Sequence, residues 1–233
     1  MISNRRKLCD AILDYRYLLD RGYSREQVLD LIVNRYMLSK IERSILYRCV
    51  HQSLEANSIR SKLVAPDDVK GEKLVIDGFN VIVTTETCLN GDVVFLGDDG
   101  VVRDVRKSYR KYVYDDKRTS ETLSLILSST LELKPKAIVV VYDEQVSWSG
   151  EIARLTRNIL REHGVEGDAI AVTKSDLKII EESKNGIACT SDIVILERVK
   201  RVFDLPAYII NREGRKCIDR IVHECIMGKH LIS

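Results

Sequence analysis

Leu74-Val75-Ile76-Asp77-Gly78-Phe79-Asn80 is a short apolar run that ends abruptly in a carboxylate, a glycine and an amide. Bounded by Gly71 and Gly78, the run reads as a buried parallel strand. In open α/β sheets, ligands bind beyond the carboxyl ends of the strands, so Asp77 is expected to point into a site and not into a core. Two further runs repeat the pattern. They are Ala137-Ile138-Val139-Val140-Val141-Tyr142-Asp143 and Ile187-Ala188-Cys189-Thr190-Ser191-Asp192. Three carboxylates delivered to one rim of one sheet predict a divalent metal site.

Working outward, strand patterns fall at 73–77, 137–142, 168–173, 186–190 and 207–210. Helical patterns fall between them at 119–132, 150–163, 175–184 and 191–203, and a last helix is expected at 215–227. Such alternation predicts an α/β fold with a parallel sheet and right-handed crossovers. The interval after Asp77 is longer than one crossover helix needs. Within it, 92–96 and 101–104 flank Gly97-Asp98-Asp99-Gly100, which reads as a β-hairpin with an Asp-Gly turn. Arg103, Arg106, Lys107, Arg110 and Lys111 follow, interleaved with Tyr109, Tyr112 and Tyr114. Basic residues grip phosphates and tyrosines stack on bases, so this segment is a candidate RNA surface. The competing reading is a hairpin that covers a sheet edge. Trp148, in the loop after Asp143, offers a base-stacking ring or a half-buried one.

Residues 1–65 read differently. Leu8, Ile12, Tyr15 and Leu19 share one helical face, and Arg21-Gly22-Tyr23 ends that helix. Ser24 with Gln27 and Ser39 with Glu42 have the spacing of capping boxes opening two more helices. A three-helix bundle is favoured over a helix-turn-helix. Ala65-Pro66-Asp67-Asp68 and Gly71 mark the boundary, giving a small helical module over 1–65 and an α/β domain over 70–233.

The 233-residue chain has a net charge of +2, but residues 1–65 hold 12 Lys/Arg against 7 Asp/Glu while the remainder is mildly acidic. A basic module beside an acidic core fits nucleic-acid binding next to a metal site. No apolar run is long enough to span a bilayer, and the basic N-terminus leads into an amphipathic pattern. A cytoplasmic protein without membrane contact is expected, and a homo-oligomer stays open. The six cysteines show no metal-binding spacing and read as buried thiols in a reducing compartment.

A fourth acid joins the first three. Asp176 follows the 168–173 strand at the start of a helix, where its charge is favourable. Asp77, Asp143, Asp176 and Asp192 crowded in one cleft would repel one another without a cation. Mg2+ and Mn2+ prefer such oxygen ligands. With a metal, such a site activates water and clamps the oxygens of a phosphodiester. Capping of the following helix is the competing role for the strand-end aspartates, and for Asp143 the start of a turn before Glu144.

The pattern resembles the PIN/NYN superfamily of metal-dependent ribonucleases. Asp77-Gly78-Phe79-Asn80 is similar to its first-strand Asp-Gly-x-Asn motif, Val141-Tyr142-Asp143 to its "VFD" motif, and Thr190-Ser191-Asp192 to its "TSD" motif. Asp176, before Ile179 and Ile180, matches the helix-start aspartate. These matches run in family order over about 74–210. The whole looks like an archaeal two-domain family with a PIN-like, Rossmannoid C-terminal half. The resemblance implies catalysis by Asp77, Asp143, Asp176 and Asp192, with Asp77, Asp143 and Asp192 on Mg2+ or Mn2+. Asn80, Thr190 and Ser191, with the basic segment, would bind substrate. A further acid of the family pattern has no clear match, and Glu86, Asp104 and Glu121 are the candidates. The implied activity is endoribonucleolytic. The alternatives are a non-cleaving PIN-like module that binds RNA or protein, and a helix-turn-helix regulator. A phosphoacceptor receiver fits poorly, because a single acid follows the first strand.

Overall fold

The computed structural model describes residues 2, 4–106 and 114–228. In chain order its elements begin α1 (Arg5–Asp20), α2 (Arg25–Tyr36), α3 (Lys40–Cys49), α4 (Ser53–Arg60), β1 (Lys73–Asp77), α5 (Gly78–Leu89), β2 (Val94–Leu96), β3 (Val102–Arg103) and α6 (Asp116–Glu132). They continue with β4 (Ala137–Asp143), α7 (Ser149–Glu162), β5 (Gly167–Val172), α8 (Ser175–Glu182), β6 (Ile187–Cys189), α9 (Ile193–Leu196), α10 (Leu205–Arg212), β7 (Ile218–Asp219) and α11 (Ile221–Ile226). Two compact units result. One holds Met1–Ser61, Gly91–Arg110 and Cys217–Ser233, and the other holds Lys62–Asn90 and Lys111–Lys216.

In the first unit, α1 starts where the Asn4 side chain accepts the Lys7 N–H at 3.0 Å. Its expected face, Leu8, Ile12, Tyr15 and Leu19, is buried and packs with Val28, Leu29, Ile32, Ile45 and Leu46. The Ser39–Glu42 capping box forms in both directions, with bonds of 3.3 and 2.8 Å. Ser24 makes no side-chain cap bond, so the box expected with Gln27 does not form. Helix α4 adds to the expected bundle. The β2–β3 hairpin closes as expected, with Gly97 N–H donating to Val101 O at 3.0 Å and Gly100 at a φ of 85°. Only a residue without Cβ adopts that φ cheaply. The hairpin groups with the helices, and β7 adds to β2 in parallel. The last helix is shorter than 215–227, because β7 takes Ile218–Asp219 and Asp219 then accepts the Ile221 N–H.

Cys9 and Cys225 form a disulfide between positions whose Cα atoms are 5.4 Å apart. This corrects the expectation of free thiols at both positions. The sequence could not show it, because helices α1 and α11 bring together residues 216 positions apart. Cys49 and Cys189 are free and buried. No helix among the described residues is long and apolar enough to cross a membrane.

The second unit carries the α/β fold. Four parallel strands run in the order β5-β4-β1-β6. Val202 extends the sheet by parallel bridges to Ala188 and to Leu63. The strand expected at 207–210 is instead α10. Asp204 caps that helix by accepting the Ala207 N–H at 3.0 Å, and Pro206 sits in its first turn, where its missing N–H costs nothing. The helix expected over 191–203 stops at Leu196, since Val202 and Phe203 donate to Lys62 O and Ala188 O and so behave as strand. The core lies where Leu74, Ile76, Ile138, Val140 and Tyr142 of the sheet meet Val81, Ile82, Leu123 and Leu127 of the helices.

Candidate metal centre

Strand β1 passes into α5 without a loop. Leu74, Val75 and Ile76 are buried, so the strand is held up to its last residue, and Asp77 emerges at the rim. A Cβ at Gly78 would overlap the Tyr142 ring, so glycine is what lets β1 turn this tightly beside the end of β4. Tyr142 is fixed in turn, edge-on to Phe79 and hydrogen-bonded through its hydroxyl to Thr156 Oγ1 at 2.8 Å.

The strand register sets the acids. Asp77 lies opposite Val141, so Asp143 reaches two residues further along the neighbouring strand. On the other side Cys189 lies opposite Ile76, which carries Thr190, Ser191 and Asp192 past the same edge. Asp77, Asp143 and Asp192 therefore terminate three adjacent strands. At about 4.8 Å per strand the outer two are spread laterally by roughly 10 Å. Asp176 stands exposed in the first turn of α8, which follows β5 and packs on β4 and β1.

Hydrogen bonds join these ends. Thr190 Oγ1 donates to Asp77 Oδ2 at 2.7 Å and accepts the Asp192 N–H at 3.1 Å. Asn80 Oδ1 accepts both the N–H and the hydroxyl of Ser191 at 3.0 Å. Asn80, Thr190 and Ser191 are all buried. They were expected to meet substrate, and instead they tie the end of β6 to the start of α5. The competing local roles are also filled: Asp77 and Asp192 cap α5 and α9 by accepting the N–H groups of Asn80 and Val194 at 3.4 and 2.9 Å, while Asp143 caps no helix and closes a turn by accepting the Gln145 N–H at 2.9 Å. A cap bond occupies one carboxylate oxygen and leaves further lone pairs. Among the described residues, no three of the four acids bring ligand oxygens within 4.8 Å of one another. The donor set is nonetheless all oxygen, and Asp143 and Asp192 form no ion pair among the described residues. An open set of carboxylates suits a cation that keeps several of its waters, as Mg2+ does.

Other expected site residues fall elsewhere. Arg103 is fully buried, gripping Asp99 with two bonds of 2.7 and 2.5 Å, and so cannot reach a phosphate. Arg106 pairs with Asp92. Lys107, Tyr109, Arg110, Lys111 and Tyr112 lie outside the described residues. Of the further acids, Asp104 is buried in the first unit and Glu121 is exposed beside Lys117. Glu86 is buried on α5, and burial raises its pKa against the opposing pull of Arg118.

Two acidic features went unread. Asp204 follows Val202 by two residues, so a further carboxylate stands at the same end of the sheet. Val202-Phe203-Asp204 repeats the apolar-then-acid signal, hidden by extending the preceding helix through it. In the first unit, His51, Asp98 and Asp99 bring ligand atoms within 4.8 Å, all three residues being buried. Arg103 grips Asp99, and Arg16 lies 3.6 Å from Asp98. Arg103 and Arg16 thus set two positive charges against the two aspartates. It pins the hairpin: His51 N–H and Nδ1 meet Asp98 at 2.9 and 2.6 Å.

Residues 66–208 match the family model described as "Domain of unknown function (DUF5616)". The chain belongs to this family. Residues 7–62 match a second model, "Protein of unknown function (DUF434)", so the two matches meet at the boundary read near residue 65. The chain is also similar to "Uncharacterized protein MJ0935" of Methanocaldococcus jannaschii, at 34% identity over 205 residues, covering 87% of this chain and 96% of that protein. No solved structure matches.

Proposed function

We propose that the chain is a metal-dependent endoribonuclease of PIN/NYN-like type, acting in the cytoplasm. The observation that carries the proposal is the placement of Asp77, Asp143 and Asp192 at the carboxyl ends of three adjacent parallel strands, with Asp176 on the helix after the fourth. Asp77, Asp143 and Asp192 would hold Mg2+ or Mn2+. A bound ion of this kind lowers the pKa of water and neutralises charge on a phosphodiester. The chain's own part is to fix the acids. Thr190 holds the Asp77 carboxylate in one orientation, and the Asn80–Ser191 bonds keep the β6 turn against α5. Asp176, exposed in the first turn of α8, would serve to move a proton to or from solvent.

One observation favours a second reading. Each of the three strand-end aspartates already accepts a backbone N–H, which is all that a non-cleaving RNA- or protein-binding module would need. The deciding experiment is cleavage of a labelled mixed-sequence RNA with Mg2+ or Mn2+. The proposal expects cleavage that excess chelator stops and that Asp77→Asn abolishes while the circular dichroism spectrum is kept. Cleavage unaffected by either change would refute the metal mechanism. No cleavage of structured or single-stranded RNA would leave the binding module as the better account.

A further inference from the structure

Trp148 is the only tryptophan of the chain and is 55% exposed. Its indole stacks on the Tyr114 ring, with centroids 5.3 Å apart and planes 19° from parallel. The backbone holds it in place. Val146 N–H donates to Asp143 O at 3.1 Å, Ser149 N–H to Val146 O at 3.2 Å, and Ile152 N–H to Trp148 O at 3.0 Å. The ring is thus fixed at the head of α7, five residues beyond Asp143. Trp148 also sits in the left-handed region at a φ of 68°, a rare conformation for a bulky side chain. The Tyr114 stack covers one part of the indole, and more than half of its surface stays open to solvent.

We propose that Trp148, backed by Tyr114, is a stacking platform for one unpaired base of single-stranded RNA bound across the Asp77–Asp143 edge. The inference rests on the nuclease reading for its choice of ligand. Three observations favour a base over a protein side chain. The surface is one flat ring pair, and its loop neighbours Glu144, Gln145 and Ser147 are polar and exposed, so among the described residues this loop offers no apolar groove. Lys117, three residues beyond Tyr114, carries a side chain 88% exposed whose ammonium lies 4.0 Å from the exposed Glu121 carboxylate, a loose surface pair that a phosphate can displace. The platform also lies on the loop that leaves Asp143, so a base stacked there would place its backbone near the acids. Every base has a π-face, and the platform would be tolerant of sequence.

The lone tryptophan makes the test direct. Wild-type protein is titrated in chelator with a single-stranded RNA decamer and, separately, with the same sequence as a duplex, while Trp148 emission is followed. Saturable quenching by the single strand, with little by the duplex, is expected. Trp148→Asn, which tolerates the left-handed conformation, and Tyr114→Leu should each weaken single-strand binding, the former by about five- to a hundredfold. Trp148→Phe should recover part of the loss. Single-strand binding with unchanged emission, binding that ignores Trp148→Asn, or no binding at all would overturn the platform. The two proposals fail separately: quenching by a protein that never cleaves RNA refutes the nuclease alone. Cleavage with an unchanged KM in Trp148→Asn refutes the platform alone.

Discussion

Thr190 Oγ1 donates to Asp77 Oδ2 at 2.7 Å across two neighbouring parallel strands, and the same oxygen accepts the Asp192 N–H at 3.1 Å. One buried hydroxyl therefore orients one carboxylate and anchors the backbone that carries another. Carboxylates that bind a metal need such support, because their own rotamers are otherwise loose. Thr190→Val keeps the shape and removes the bond. It should raise the Mg2+ concentration for half-maximal cleavage, or lower the rate, by about 10- to 100-fold. Thr190→Ser, which keeps the hydroxyl, should restore most of it. A metal titration of both variants checks this. Equal titration curves for Val and Ser would mean that Asp77 needs no partner.

The close packing of Gly78 against Tyr142 makes a second expectation. Gly78→Ala places a methyl group where the ring now lies, and the ring is held from its far side by Thr156. Overpacking of this kind costs about 1–3 kcal/mol. The loss should appear in urea unfolding, together with reduced cleavage, because the strain falls between residues adjacent to Asp77 and Asp143. Tyr142→Phe fills the same space and loses one buried hydrogen bond, so it should cost nearer 1 kcal/mol. Cleavage unchanged in Gly78→Ala would show that the strand ends tolerate displacement.

How far the sequence could be read depended on whether a signal was local. Strand β1 was legible to the residue, since Lys73–Asp77 is an apolar run stopped by an aspartate and a glycine. The four aspartates could be placed at one edge, because parallel strands with helical crossovers leave their carboxyl ends together. Asp204 was missed because its strand is reduced to bridges at Val202, too short to give a pattern. Arg103 was misjudged because its role depends on Asp99 across a tight hairpin, and composition alone cannot tell a buried arginine from an exposed one. The Cys9–Cys225 bond was invisible for the same reason, since it depends on which helices meet.

The Asp99–Arg103 pair should dominate the stability of the first unit. Both side chains are buried, so removing one takes from the other its main counter-charge in the interior. Arg103→Met should cost about 3–5 kcal/mol, while the double variant with Asp99→Leu should recover much of that. A double-mutant cycle by urea unfolding reads the coupling. Additive losses would show that the pair does not act as a unit.

The same pair fixes a pH dependence. Burial alone would raise the Asp99 pKa, but the charge and hydrogen bonds of Arg103 outweigh it and hold the carboxyl below its ordinary value. A depressed folded pKa means that the unfolded state binds the proton more readily. The contribution of Asp99 is then fully present above the unfolded value, near pH 4, and is lost as pH falls toward the lower folded value. Wild-type stability should therefore decline on acidification below about pH 4, and Asp99→Asn, less stable at neutral pH, should decline less over the same range. Parallel acid limbs for the two proteins would show that other carboxylates carry the transition.

Cys49 gives the last expectation. It is buried on α3, and burial pushes its thiol up to about 12 against the opposing pull of Arg103 and Arg48. Cys189 lies buried at the end of β6, and burial raises it further, with a smaller contribution from Asp204. Thiolate is the reactive form, so both should be inert in the folded protein at neutral pH. Under native conditions an aromatic disulfide reagent should modify neither residue on the time scale of minutes. In urea, without reductant, both should react at once. The native reaction then reports opening of the structure, and its rate should rise in Arg103→Met, which loosens the pair beside Cys49, while Cys189 in the other unit stays protected. Mass spectrometry of the labelled peptides separates the two sites. Equal acceleration at both would mean that the two units open together.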